Sequence, residues 1–150
     1  MLYLFLKQIY KLKKELSKQI KTHINININL ENVETIDIDI DLESRIKSFD
    51  RIKEKIYKKK IPFDIFGIRI IYNDINMANN TNIAYQIKDL FYKNFLHIDF
   101  LADDYIKNPK SNNYQSLHIY IILCFFIIEI QIRNQEMHYI ATNGSAALYH

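Results

Sequence analysis

Four short runs concentrate the residue types that can hold phosphate, a metal ion or a nucleobase. The first is Arg45-Ile-Lys47 with Arg51, Lys53 and Lys55, just after a strand-like Ile/Asp stretch. Cations at a strand end and along the next helix suit a polyphosphate, arginine through its planar fork and lysine as a point charge. A solvated lysine-rich helix face has the same composition. The second run is Asp64-Ile-Phe-Gly-Ile-Arg69. An acid just before a buried strand that also carries an arginine can hold Mg²⁺ at a sheet edge, although a loop aspartate also serves as a turn former. The third, Asp104–His118, crowds lysines, amides, Tyr114 and His118 into one loop with little apolar content. Tyr114 offers a face on which a base can stack, and Lys110 and His118 can reach phosphate; the plain alternative is an ordinary polar loop. The fourth is Glu129-Ile-Gln-Ile-Arg133, followed by Met137-His138. Period 2 puts Glu129, Gln131 and Arg133 on one strand face, which is costly if buried and ordinary on an exposed edge. Carboxylates from two strand edges, Asp64 and Glu129, can share Mg²⁺ or divide into metal ligand and base.

Rival chemistries lack their residues. There is no G-x-x-x-x-G-K-[ST] loop, no G-x-G-x-x-G, no C-x-x-C and no H-E-x-x-H. Cys124, the single cysteine, has no charged neighbour to activate it and reads as a buried thiol in a reducing compartment. Phosphate binding must therefore come from side chains.

The elements that position these runs follow from periodicity. Leu2, Leu6, Ile9, Leu12, Leu16 and Ile20 recur at helical spacing, so Leu2–Lys21 reads as an amphipathic helix. Thr22–Thr35 is an Ile/Asn alternation that suits an exposed strand or an asparagine-rich connector. Ile36–Leu42 alternates Ile with Asp, the period of a half-buried strand. Phe49–Lys60 reads as a helix with Ile52 and Ile56 inward, ended by Pro62. Phe66–Tyr72 is a strand in which Gly67 permits close backbone approach. Asn79–Phe95 reads as a helix with Ile83, Ile87, Leu90 and Phe91 on one side. Leu117–Leu123 and Phe126–Arg133 read as adjacent strands, and Gln135–Thr142 as a short closing helix stopped at Gly144. The irregular interleaving predicts an α/β (α+β) chain, a mixed β-sheet flanked by helices.

At 150 residues, 49% hydrophobic and 25% charged, the chain fits one globular domain. Residues 1–35 form a helix and low-complexity lead-in, and 36–149 the core. Ile119–Ile128 is too short to cross a bilayer as a helix. Met1–Leu6 is apolar, but Lys7 ends it without the order of a signal peptide. A soluble cytoplasmic protein with no membrane partner is expected. A net charge of +3 does not by itself indicate nucleic acid.

The four runs, taken in order, resemble the RelA/SpoT synthetase domain. Its R-x-K-[three residues]-S-I-x-x-K pattern is similar to Arg45-Ile-Lys47, Ile52 and Lys55, with Arg51 in place of the serine. Its D-[LI]-x-G-I-R resembles Asp64–Arg69. Its D-Y-I-x-x-P-K-x-N-G-Y-Q-S-L-H resembles Asp104–His118, with Asn113 in place of the glycine. Asparagine tolerates positive φ better than most residues, so the loop conformation should survive. Its E-I-Q-I-R-T-x-x-M-H-x-x-A-E-x-G-x-A-A resembles Glu129–Ala147, with Asn134 for the threonine and Thr142 for the glutamate.

The resemblance implies a nucleotidyltransferase-like synthetase fold and transfer of pyrophosphate from ATP to the 3′-hydroxyl of GDP or GTP, making (p)ppGpp. It places Arg45 against adenine, Lys47 and Lys55 on the ATP phosphates, and Arg69 at the phosphate end. It assigns Mg²⁺ to Asp64 and Glu129, with Glu129 also a candidate base. It gives the guanine nucleotide to Lys110, Asn112 and His118, with Tyr114 stacked on the base and Gln131 orienting the acceptor. The hydrolase and regulatory domains of larger members have no counterpart here, so a stand-alone synthetase is expected, and a homo-oligomer stays open. Two other readings remain: a decayed synthetase that binds nucleotide or a partner without turnover, and a basic RNA-binding module with salt-dependent affinity.

Overall fold

The computed structural model describes residues 38–47, 49–58, 65–74, 81–123, 126–144 and 147, with Lys11 and Thr22. The expected N-terminal helix and Ile/Asn connector, and the residues Pro62, Asp64 and Cys124, lie outside this set.

A five-stranded mixed sheet organises the chain, in the order β1-β2-β5-β4-β3. Strand β1 is Ile38–Ile46 and β2 is Phe66–Asp74. They pair antiparallel over their full lengths, from Ile38↔Asp74 to Ile46↔Phe66. The Ile/Asp alternation sends Ile40 and Leu42 into the core and leaves Asp39 and Asp41 exposed. This strand continues past Leu42, where the sequence pattern suggested an end. Arg45 is therefore a strand residue paired with Gly67, and not a residue of the loop beyond it. The cause is the long β2 partner, which keeps bonding after the apolar alternation has faded.

Helix α1 is Phe49–Tyr57. The expectation that Ile56 turns inward is not met: it is 58% exposed. Helical periodicity states which residues share a face, not whether a neighbour covers that face. Helix α2, Asn82–Asn94, shows the opposite outcome: Ile83, Ala84, Ile87, Leu90 and Phe91 form a buried stripe. It lies over the apolar rows of the sheet, Ile68, Ile70 and Tyr72 of β2 with the isoleucines of β4 and β5. Each fully buried side chain of this kind contributes roughly 1.5–3 kcal/mol.

A 3₁₀ turn at Asp99–Leu101 leads to the two-residue strand β3, Asp103–Asp104. Strand β4, Leu117–Leu123, and β5, Phe126–Asn134, form an antiparallel hairpin closed by Leu123↔Phe126. Its tip, residues 124 and 125, is outside the described set. β5 also pairs parallel with β2, and no helix among the described residues is long and apolar enough to cross a membrane.

Helix α3, Gln135–Asn143, closes the chain. Asn134 caps it by accepting from Met137 N at 2.8 Å, a role that threonine also fills. Gly144 ends it with φ −87°, so the left-handed conformation is not what selects glycine here. Close approach is: a Cβ at this position would meet the Ile140 carbonyl oxygen at 2.6 Å. Gly144→Ala should lower unfolding stability by about 1–3 kcal/mol. Urea midpoints of the two proteins measure it, and an unchanged or raised midpoint would contradict the contact.

Candidate active site

The sheet has one apolar face and one polar face, and the centre of the polar face, at His118, Glu129, Gln131 and Arg133, is buried as well. Cross-strand pairing lines up two rows on it. The first runs Glu43, Arg69, Gln131, His118, Asp103, one residue from each strand. The second runs Arg45, Gly67, Glu129, Tyr120. Gly67 is buried and contributes no side chain to this row, so Glu129 has no side-chain neighbour directly opposite on β2.

Glu129 is 4% exposed, and the register surrounds it with donors. Tyr120 Oη donates to Oε1 at 3.1 Å and Gln131 Nε2 donates to Oε2 at 2.9 Å. His118 Nδ1 lies 3.3 Å from Oε1. On the other side of the imidazole, the Tyr114 hydroxyl is 2.9 Å from Nε2. An ionised carboxylate only accepts, so a neutral His118 places its proton on Nδ1 and receives the Tyr114 O–H at Nε2. A continuous polar chain thus joins the loop residue Tyr114 to Glu129. Further along the first row, Arg69 Nη1 donates to Glu43 Oε2 at 2.5 Å.

The loop between β3 and β4 is built by local side-chain bonds. Asp104 Oδ1 accepts from Ile106 N and Lys107 N, and its Oδ2 accepts from Tyr85 Oη on α2. Asn112 Oδ1 accepts from Tyr114 N at 3.2 Å, an Asx turn. Asn113 has φ 61°, the left-handed region, so the asparagine adopts the conformation that glycine would supply. The rings of Tyr105, Tyr114 and His118 meet edge to face, and Lys110 Nζ sits 4.2 Å from the Tyr105 ring centroid and 5.3 Å from that of Tyr114. Burial, then the bond to Asp103, pushes the Tyr105 phenol up to about 12. Burial also raises the Tyr114 phenol, with the Arg133 charge opposing. Both tyrosines stay neutral and able to donate.

The sequence profile described as the region found in RelA / SpoT proteins matches residues 44–150. The chain belongs to the RelA/SpoT family. It is 36% identical over 112 residues to a probable chloroplastic GTP diphosphokinase of Oryza sativa subsp. japonica, covering 71% of this chain and 15% of that protein. It is 33% identical over 105 residues to the GTP pyrophosphokinase of Escherichia coli K12, covering 69% and 14%. The chain thus spans about one seventh of the length of these curated relatives. The small alarmone synthetase 1 of Bacillus subtilis, solved bound to its product pppGpp, superposes with a TM-score of 0.63 at 24% identity, over 98% of this chain and 80% of that one. That likeness shows a shared α+β fold, as the motifs implied.

Of the residues that the RelA/SpoT motifs single out, the structure gathers Arg69, Glu129, Gln131 and His118 on one sheet face. Tyr114 reaches that face through His118, and Lys110 reaches Tyr114 through the ring contact. Asn112 is half-buried and shapes the loop through its turn. Lys47 follows β1 at the sheet end where β2 and β5 begin, its N–H bonded to Ile65 O at 2.9 Å. Lys55 lies in the last turn of α1. The Arg45 backbone is paired with Gly67, but its side chain is outside the described set, as is all of Asp64. Sequence reasoning missed Tyr120, Tyr105, Glu43 and the partner of Arg133. A hairpin register closed at residues 123 and 126 would have put Tyr120 opposite Glu129, and period 2 along Asp39, Asp41 and Glu43 would have brought Glu43 to the polar face.

Arg133 is 2% exposed, and its Nη2 donates to His138 Nδ1 at 2.9 Å. The imidazole accepts and is therefore neutral. Burial, then the Arg133 charge, lowers the His138 pKa from its ordinary 6.5. As pH falls below that value the unfolded chain takes up the proton first. Stability present above pH 6.5 is thus lost as pH drops through the folded value. His138→Gln keeps an acceptor for Arg133 without titrating. Its melting temperature should fall less than that of the wild-type protein as the buffer goes from neutral to mildly acidic; an equal or steeper fall would refute the neutral imidazole.

Proposed function

We propose that this chain transfers the β,γ-pyrophosphate of ATP to the 3′-hydroxyl of GDP or GTP, making the alarmone (p)ppGpp, as a GTP diphosphokinase of the stringent response. The observation that carries the reading is Glu129, a buried carboxylate held by Tyr120 and Gln131 and linked through His118 to the aromatic loop. The names of the relatives and the product in the Bacillus subtilis structure point the same way.

The acceptor oxygen attacks the β-phosphorus, the bond from that phosphorus to the α-bridging oxygen breaks, and AMP leaves. The proton of the 3′-hydroxyl passes to Glu129. Tyr114 stacks on guanine, with Lys110, Asn112 and His118 holding the rest of the nucleotide and Gln131 orienting the acceptor. Stacking requires the Lys110 ammonium to move off the tyrosine rings, towards phosphate. Arg45, Lys47 and Lys55 hold ATP, and Arg69 meets its phosphate end. Positioning and charge neutralisation are what such a transfer needs.

The donor set fits Mg²⁺. Glu129 offers hard carboxylate oxygens at a position whose β2 neighbour is Gly67, and Mg²⁺ needs only one or two carboxylates plus substrate phosphates. Asp64 and Glu129 would hold the ion, which would neutralise charge on the polyphosphate. The compartment proposed with this reading is the cytoplasm.

Loop and cap geometry favours turnover over a decayed remnant: of the four motif departures, Asn113 takes the positive φ and Asn134 caps α3, so these two are accommodated. Purified protein with Mg²⁺, ATP and GDP or GTP should form tetra- or pentaphosphate. Asp64→Ala and Glu129→Gln should each cut the rate by about 10²-fold or more, with circular dichroism confirming the fold. No product above the Asp64→Ala background would exclude the activity.

A further inference from the structure

Besides Arg133 Nε, two buried atoms on the polar face have no hydrogen-bond partner among the described residues: Arg69 Nε, a donor, and Gln131 Oε1, an acceptor. Their residues are Cα partners on the parallel β2–β5 ladder and project from the same face. Gln131 is 5% exposed. One further nitrogen of each side chain is held by a carboxylate. Arg69 Nη1 is tied to Glu43, and Gln131 Nε2 to Glu129. With Glu129 ionised the carboxylate only accepts, which matches the amide orientation seen, nitrogen towards Glu129 and oxygen away. Rotating the amide to satisfy Oε1 elsewhere would strip Glu129 of a donor.

A buried donor and a buried acceptor left open at paired positions are costly unless something else fills them. The two do not bond each other. The filler must donate to Gln131 Oε1 and accept from Arg69 Nε–H. A phosphate or carboxylate oxygen cannot donate, and an ammonium cannot accept. A hydroxyl does both.

We propose that Arg69 and Gln131 form a hydroxyl-reading subsite for the ribose 2′-hydroxyl of the acceptor nucleotide. The inference rests on the synthetase reading, in which Glu129 faces the reacting 3′-hydroxyl. The 2′-hydroxyl is on the neighbouring carbon of the same cis-diol, and Gln131 is bonded to Glu129 directly. The 2′-oxygen gives its proton to Gln131 Oε1 and accepts from Arg69 Nε. Glu43 is a positioning residue that fixes the guanidinium. A 2′-deoxyribonucleotide leaves both protein atoms unpaired, and the site rejects it for that reason.

The test compares GDP with 2′-deoxy-GDP, by initial rates with ATP and Mg²⁺ and by calorimetric titration of each acceptor alone. GDP should be preferred by about 10²-fold or more in kcat/KM and bind at least about tenfold more tightly. In Gln131→Met and in Arg69→Lys the preference should collapse to within a few-fold, whatever the overall loss of rate. Equal rates and affinities in the wild-type protein, or a preference that survives both substitutions, would mean that the pair holds only water, and would overturn the subsite. Where a variant fails to fold, the wild-type comparison decides alone. A binding preference without turnover would overturn the synthetase reading and leave the subsite standing, and binding of neither acceptor would overturn both.

Discussion

A carboxylate cannot be buried beside a β-sheet core unless donors meet it, because its desolvation otherwise outweighs what folding supplies. Glu129 sets that requirement, and much of the polar face answers it. The β4–β5 register delivers Tyr120 directly opposite. The period of β5 delivers Gln131 one step along the same face. His118 comes from the neighbouring row of β4 and carries the contact outward to Tyr114. His118 in this way ties the loop after β3 to the sheet, and with Tyr114 joins that loop to this carboxylate.

The sheet therefore works as a partition. Its apolar face is closed by α2 with a stripe of isoleucine, leucine and phenylalanine, and this side supplies rigidity. Its polar face carries charged and hydrogen-bonding side chains in register across all the strands. The two faces are coupled at the loop start, where Asp104 receives both backbone N–H groups of the turn and the hydroxyl of Tyr85 from α2. A helix that belongs to the core thereby fixes where the aromatic loop begins. This arrangement lets a family built on short motifs hold side chains accurately, since each motif sits on a strand or is anchored to one.

Much of this was legible in the residues, and the failures have physical causes. The motif runs from Asp64 to Arg69, Asp104 to His118 and Glu129 to Arg133 name the chemistry because type and spacing both matter there. The strands after Leu117 and the stripe on α2 follow from periodicity in regions where burial and period agree. Periodicity gave the wrong answer for Ile56, because a shared face is a local property and its covering is a tertiary one. It also ended β1 too early, since pairing with β2 carries the strand through Arg45 without any apolar alternation. Tyr120 and Glu43 needed one further step: Tyr120 a hairpin register closed between the two strands, and Glu43 the extension of the Ile/Asp alternation past Leu42. Asn113 is the converse case, where a departure from the motif could be judged from side-chain chemistry before its φ was known.

The parallel ladder between β2 and β5 has a consequence in time as well as in space. Gly67 and Glu129 are neighbours in the sheet but far apart along the chain, and contacts of that kind form slowly because a long loop must close before they stabilise anything. The β1–β2 and β4–β5 pairs are more local and can form first. The two halves of the polar face, Glu43 with Arg69 and Glu129 with its donors, would then exist as separate hairpins before they meet. The centre of the face is where those hairpins dock, so a nascent chain acquires it only after β5 has been synthesised and has found β2.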